Sequence, residues 1–152
     1  MRSMMIACTA ILLATAGASA SGGLSCSTEA GPARIEIESG VTRGMGGPLF
    51  NFRATATIAD KGVAEDLRKT SFEREHVPQY WLDGKELKLL LYREREGDKP
   101  HGYVEIEVRT QAGDDEGLYG GTYTLSTFDV PAGDGAEAKE FKAEGPISCF
   151  VE

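Results

Sequence analysis

The stretch covering residues 81–128 most constrains what this chain can fold into. It holds a turn at 83–85, an apolar run at 87–92, an alternating run at 103–109 and a Gly- and Tyr-containing run at 118–128. Apolar residues at every second position have the period of a β-strand, and Asp-Gly is a tight-turn signal. The stretch therefore predicts successive antiparallel strands.

Residues 49–59 extend the same pattern upstream. Every second residue is apolar, which predicts an inward row, and the residues between are polar; the inward row is Phe50, Phe52, Ala54, Ala56 and Ile58. A helix would scatter these apolar groups around its circumference. Further strands are expected at 34–39, 77–81, 137–144 and 147–151, whereas only residues 63–70 have helical spacing. The chain is thus predicted to be all-β: a single antiparallel β-sandwich of about seven or eight strands with one short helix, or alternatively a small closed β-barrel.

The first twenty residues have the pattern of an export signal. Arg2 precedes an apolar run at 4–16, and Ala18-Ser19-Ala20 matches the small-residue cleavage pattern. The run is shorter than the roughly 20 residues that span a bilayer. We therefore expect a signal peptide at 1–20, a flexible leader at 21–33 and one all-β domain at 34–152. The mature protein would be periplasmic or secreted, without membrane insertion.

The net charge limits the classes of partner that the protein is expected to bind. Removing residues 1–20 lowers the sixteen basic residues to fifteen and leaves twenty-four acidic residues, a net charge of −9. Nucleic acids and anionic membranes need a basic surface, so neither is an expected partner. The expected partner is instead an unidentified protein or a cell-envelope glycan.

The cysteine positions predict a covalent link between the two ends of the mature chain. Cys8 leaves with the signal, which leaves Cys26 and Cys149. Export into an oxidising compartment makes a disulfide the expected state. Two zinc-binding thiols would need a C-x-x-C pair or a histidine at ligand spacing, and the sequence has neither.

Two stretches resemble immunoglobulin-like domains. Residues 80–87, Tyr-Trp-Leu-Asp-Gly-Lys-Glu-Leu, are similar to the core tryptophan strand and its turn. Residues 115–119, Asp-Glu-Gly-Leu-Tyr, are similar to the tyrosine corner of that family. The resemblance implies a binding or structural module rather than an enzyme, with Trp81 in the core.

Three aromatic residues are the candidate binding surface. Trp81, Tyr80 and Tyr92 could form a platform for sugar or peptide, although a single Trp on a strand is more typical of a core.

Acidic residues and histidines are weaker candidates. Asp114, Asp115 and Glu116 could contribute oxygens to calcium, with a solvated turn as the competing interpretation. His76 and His101 are not placed together by any motif, and no Gly-x-Ser-x-Gly elbow occurs. No catalytic residue, cofactor or metal site is predicted.

These observations favour a non-enzymatic secreted or periplasmic module that contacts protein or envelope glycan. The alternative is a small lipocalin-like barrel carrying an apolar ligand, in a cavity lined by Phe50, Phe52, Leu89 and Val104. A third class, an acid-base hydrolase, would need carboxylates gathered in one cleft.

Overall fold

The computed structural model describes residues 21–42 and 49–152. The predicted signal peptide, Cys8 and the glycine-rich stretch 44–48, which the sequence predicts to be a loop, lie outside the described residues. The described chain forms nine strands, one short α-helix and one 3-10 turn. In chain order these are β1 (Ser21–Ser27), β2 (Ala33–Thr42), β3 (Leu49–Ile58), α1 (Glu65–Arg68), β4 (Lys69–Glu73), the 3-10 turn (Arg74–His76), β5 (Gln79–Leu82), β6 (Glu86–Glu94), β7 (Gly102–Ala112), β8 (Leu118–Asp129) and β9 (Lys139–Val151).

All nine strands belong to one antiparallel sheet, in the order β4-β3-β2-β1-β9-β8-β7-β6-β5. Neighbours in the sheet are neighbours in the chain except at β1–β9, where the first strand pairs with the last. The sheet is curled into a half-barrel. The all-β, antiparallel prediction with one short helix is confirmed. The structure has nine strands rather than the predicted seven or eight. Among the described residues they form one continuous sheet, so the predicted sandwich is not confirmed.

The curl brings distant strands within side-chain reach. The hydroxyl of Tyr123 on β8 donates to the carbonyl of Ala33 on β2, at 3.3 Å. Near the sheet edges, the guanidinium of Arg93 on β6 donates to the hydroxyl of Ser71 on β4, at 3.2 Å. The two halves of the sheet therefore enclose one interior.

That interior is built by the two-residue alternation of the strands. Leu87, Leu89 and Leu91 on β6 face inward and are fully buried, while the residues between them face outward. The same alternation on the other strands produces one continuous cluster of buried side chains. A sheet that buries one face and exposes the other leaves its outer face available for contacts.

Part of the segment predicted as a flexible leader at 21–33 forms β1. This strand pairs with β2 on one side and with β9 on the other. Leu24 and Cys26 are buried in the core. Glycine and serine suggested flexibility, but hydrogen bonding to two neighbouring strands and burial of two apolar side chains fix the segment.

Phe50 does not join the inward row that the alternation predicted. Asn51 has a positive φ of 51°, and the β2–β3 register shifts between Glu38 and Gly40. This β-bulge turns Phe50 to the outer face, where it is 38% exposed. Its ring lies over Gly40, where a side chain would collide with it.

Two further differences concern strand boundaries. β4 lies directly after α1, with Thr70 and Phe72 facing inward, and was not predicted. Gly145 and Pro146, which separate the strands predicted at 137–144 and 147–151, lie instead within β9, so these two predicted strands are one. Proline fits there because β9 pairs with β1 only from Ser148 onward, so its missing N–H leaves no ladder bond unmade on that side.

The predicted disulfide is confirmed. The sulfurs of Cys26 and Cys149 are 2.07 Å apart, across 123 residues of sequence. The two cysteines are direct partners in the β1–β9 ladder, and both are buried. Within residues 21–42 and 49–152, no helix has the length and apolarity needed to cross a membrane.

Candidate binding surface

Trp81 lies on the outer face of β5, the edge strand of the described sheet next to β6. Its side chain is 55% exposed, so the interpretation of Trp81 as a core residue is wrong. The residues on either side of it in the strand, Tyr80 and Leu82, pack against the core instead. Because side chains alternate along a strand, their burial directs the indole outward.

The turn after Trp81 holds β5 in register with β6. One carboxylate oxygen of Asp83 accepts hydrogen bonds from the backbone N–H groups of Lys85 and Glu86, each at 2.9 Å. These bonds lower the pKa of Asp83, Glu86 contributing most, with a smaller contribution from the Trp81 side chain. Gly84 supplies the positive φ of 85° that the turn requires. Trp81 is thus displayed from a hairpin whose turn is fixed by side-chain hydrogen bonds.

A row of outward side chains crosses the sheet beside Trp81. Trp81 is directly opposite Lys88 on β6, and Lys88 is directly opposite Arg109 on β7. Each cation has a carboxylate on its own strand: Lys88 Nζ lies 2.8 Å from Glu86, and an Arg109 guanidinium nitrogen lies 2.6 Å from Glu107. The row therefore presents an indole followed by two neutralised ion pairs.

These side chains line an open groove of about 620 Å³. The residues that give it its chemistry are Gln79, Trp81, Lys88, Leu90, Glu107 and Arg109. Such a surface offers one flat aromatic ring, one aliphatic side chain and several hydrogen-bond donors and acceptors. This mixture of apolar and polar groups is typical of a small binding site.

Tyr92 lies on the same outer face, further along β6. Its hydroxyl donates to Glu94 at 2.9 Å, and its ring centroid is 5.3 Å from that of Tyr103 on β7. Tyr103 in turn stacks on Phe128 of β8 at 5.7 Å. Burial and the hydrogen bond with Glu94 raise the pKa of Tyr92 to about 12.

Tyr80 also borders the groove, but its side chain packs toward the core rather than standing on the outer face. It is half-buried against the core cluster, and burial raises the pKa of its hydroxyl. The predicted aromatic set is therefore divided: Trp81 and Tyr92 share the outer face, and Tyr80 faces the interior.

The candidate calcium residues lie elsewhere. Asp114, Asp115 and Glu116 are exposed in the β7–β8 turn, beside a depression of about 480 Å³ that also includes Leu82 and Tyr119. In the part of the chain that the structure describes, no group of three or more His, Cys, Asp or Glu side chains could hold a metal ion.

The two histidines contact different groups in the structure. His76 Nδ1 accepts from the backbone N–H of Glu73 at 2.9 Å, within the 3-10 turn. His101 lies against Tyr103 and Phe128, with ring centroids 5.9 and 5.7 Å away.

The residues expected to line an apolar cavity do not meet around one space. Phe50 is exposed on the outer face, whereas Phe52, Leu89 and Val104 belong to the buried core cluster.

Lys88, Leu90, Glu107 and Arg109 were not recognised as site residues from sequence. The signal was present in the alternation, since positions 88, 90 and 92 must share a face once 87, 89 and 91 face inward. The sequence alone did not indicate on which face of the sheet Trp81 lies.

Comparisons with protein-family models, curated proteins and solved structures found no match to this chain. The immunoglobulin-like resemblance stays a prediction.

Proposed function

We propose that this protein is an exported, non-enzymatic binding module whose rigid, sandwich-like β scaffold displays a ligand surface on the outer face of β5–β7. The observation that carries the proposal is Trp81, the chain's single tryptophan, 55% exposed above a groove of mixed polarity. A large apolar ring held in water by an ordered hairpin is favourable to binding, because a ligand that covers it removes apolar area from water.

Export is supported by the signal pattern at 1–20 and by the disulfide between Cys26 and Cys149. Disulfides persist in oxidising compartments such as the periplasm and the extracellular space. The ligand would therefore be an envelope component, either glycan or protein.

The apolar-carrier alternative receives less support. It requires Phe50, Phe52, Leu89 and Val104 around one cavity, and these residues are divided between the outer face and the core. The outer face is the better candidate for ligand contact.

Co-sedimentation with envelope fragments of the source cell tests the proposal. Mature, oxidised protein should sediment with the fragments, and Trp81→Ala should reduce the bound fraction at least about tenfold, the scale of one lost aromatic anchor. Phe150→Ala is the matched control, since Phe150 is also an exposed aromatic, at 40%, but lies on β9. Equal sedimentation of Trp81→Ala and wild type would refute the proposed surface.

A further inference from the structure

The outer face of β5 and β6 carries two aromatic groups in line rather than one. Trp81 is opposite Lys88, and Tyr92 is four residues further along β6. At about 3.3 Å per residue, the two aromatic positions are roughly 13 Å apart along the strand direction. Leu90 lies between them on the same face. The spacing suits an extended ligand with repeating flat faces better than a single small ring.

The charged side chains around the two aromatic residues disfavour an anionic ligand. Lys88 and Arg109 are each already paired with a carboxylate, so neither offers an unneutralised cation. Glu105 adds a further carboxylate on the same face, opposite Tyr92. Ion pairs and amides still offer hydrogen bonds to hydroxyl groups, as Gln79 does beside Trp81. Uncharged polyols complement this surface, whereas phosphorylated or carboxylated polymers do not.

On the basis of the proposed function, the geometry points to an uncharged, extended glycan chain as the ligand. Sugar rings stack on Trp81 and Tyr92, and the intervening ring hydroxyls bond the paired side chains of β6 and β7. A basic peptide added along the free edge of β5 is the competing occupant, because edge strands accept further strands.

Fluorescence of the single tryptophan tests this inference directly. The probes are the di- to hexasaccharides of β-linked glucose and N-acetylglucosamine, with hexagalacturonate as the anionic comparison and hexalysine as the basic peptide. Stacking on Trp81 should shift its emission to the blue. Affinity should rise with chain length until the glycan reaches Tyr92, and neither hexagalacturonate nor hexalysine should shift the emission.

Variants separate the two aromatic positions. Tyr92→Ala should weaken hexasaccharide binding by about tenfold and leave disaccharide binding unchanged, since only the longer chain reaches that ring. Tyr92→Phe keeps the ring and should retain affinity. The melting temperature of each variant shows whether folding is preserved; if Tyr92→Ala is not folded, the length dependence of wild type decides alone.

The outcomes distinguish the inference from the proposed function. If neither hexasaccharide shifts the emission while envelope fragments still bind in a Trp81-dependent way, the glycan assignment is wrong and the binding surface stands. Binding of hexalysine instead would replace glycan by a basic peptide. If Trp81→Ala binds envelope fragments like wild type, both proposals fall.

Discussion

Removing the Cys26–Cys149 disulfide should cost stability without changing the fold. The bond closes a loop across 123 residues, nearly the whole of residues 21–152. In the chain-entropy model, such a closure is worth about 5 kcal/mol at 25 °C. The native ladder of β1 with β9 is made independently of the sulfurs, by backbone pairing of Leu24–Ser27 with Ser148–Val151. The effect should therefore act on the unfolded chain.

The assay is urea unfolding of the mature protein and of the double variant Cys26→Ala, Cys149→Ala. With a slope of about 2 kcal/mol per molar urea, the midpoint should fall by roughly 2–3 M. Far-ultraviolet circular dichroism should show the same β signal for both proteins. Reductant should move the wild-type midpoint to that of the variant and leave the variant unchanged. A midpoint difference under about 0.5 M would refute this reasoning, and so would loss of the β signal of the variant in the absence of urea.

Four further substitutions, with Gly120→Ala as a control for the first, probe the sheet, its interior and the ion pairs at its end. Gly121→Ala should lose at least about 2 kcal/mol in denaturant unfolding, because its Cβ would collide with the backbone carbonyl oxygen of Arg109 on β7. Gly120→Ala, with nothing within 4 Å of its Cβ, should change stability little. Tyr123→Phe should cost about 1 kcal/mol by the same assay, since it removes the buried hydrogen bond between β8 and β2. Arg95→Met should cost about 3 kcal/mol, because its 6%-exposed side chain pairs with Asp129 and Asp66: Asp129 would lose this partner and Asp66 would keep only Lys99. An unchanged unfolding midpoint would contradict this. Burial raises the pKa of Asp66, but the hydrogen bond from Arg95 and nearby charges outweigh it and hold the pKa below its ordinary value of 3.8. A carboxylate with a lowered folded pKa stabilises above its unfolded pKa, so Asp66→Asn should lower the melting temperature at pH 6, and this deficit should vanish as the pH falls through the lowered pKa; a pH-independent deficit would contradict it.

The hairpins from β6 to β8 were predictable from the apolar run of β6 and the clean alternation of β7. Val104, Ile106 and Val108 define the inward face of β7, and short connections force antiparallel neighbours. The pairing of first and last strands was predictable only through Cys26 and Cys149, since no local pattern reports such a distant contact.

Other elements depend on tertiary contacts that the sequence does not display. β4 has only two inward residues, Thr70 and Phe72, too few for a periodic signal. The bulge at Asn51 turns Phe50 from the inner to the outer face of the sheet, and no residue pattern in the sequence indicates this bulge. Arg95 lies in a charged segment without apolar periodicity, yet its side chain is buried because Asp66 of α1 pairs with it at 2.7 Å.

The candidate site was predicted only in part, because its composition depends on how the strands pair. Aromatic type identified Trp81 and Tyr92, but which face each occupies follows from the register of β5 with β6. The β5–β6 register places Lys88 opposite Trp81, and the β6–β7 register places Arg109 opposite Lys88, which groups residues that are far apart in sequence.

Iodide quenching of the single tryptophan tests the central claim most directly, because one residue reports both the exposure of the outer face and its occupation. We predict that iodide quenches Trp81 efficiently in the free, oxidised protein and that saturating solubilised envelope fragments protect it, with the emission moving to the blue. A tryptophan shielded from iodide in the free protein would contradict the outward position of Trp81. Equal quenching with and without bound fragments would contradict its role in binding.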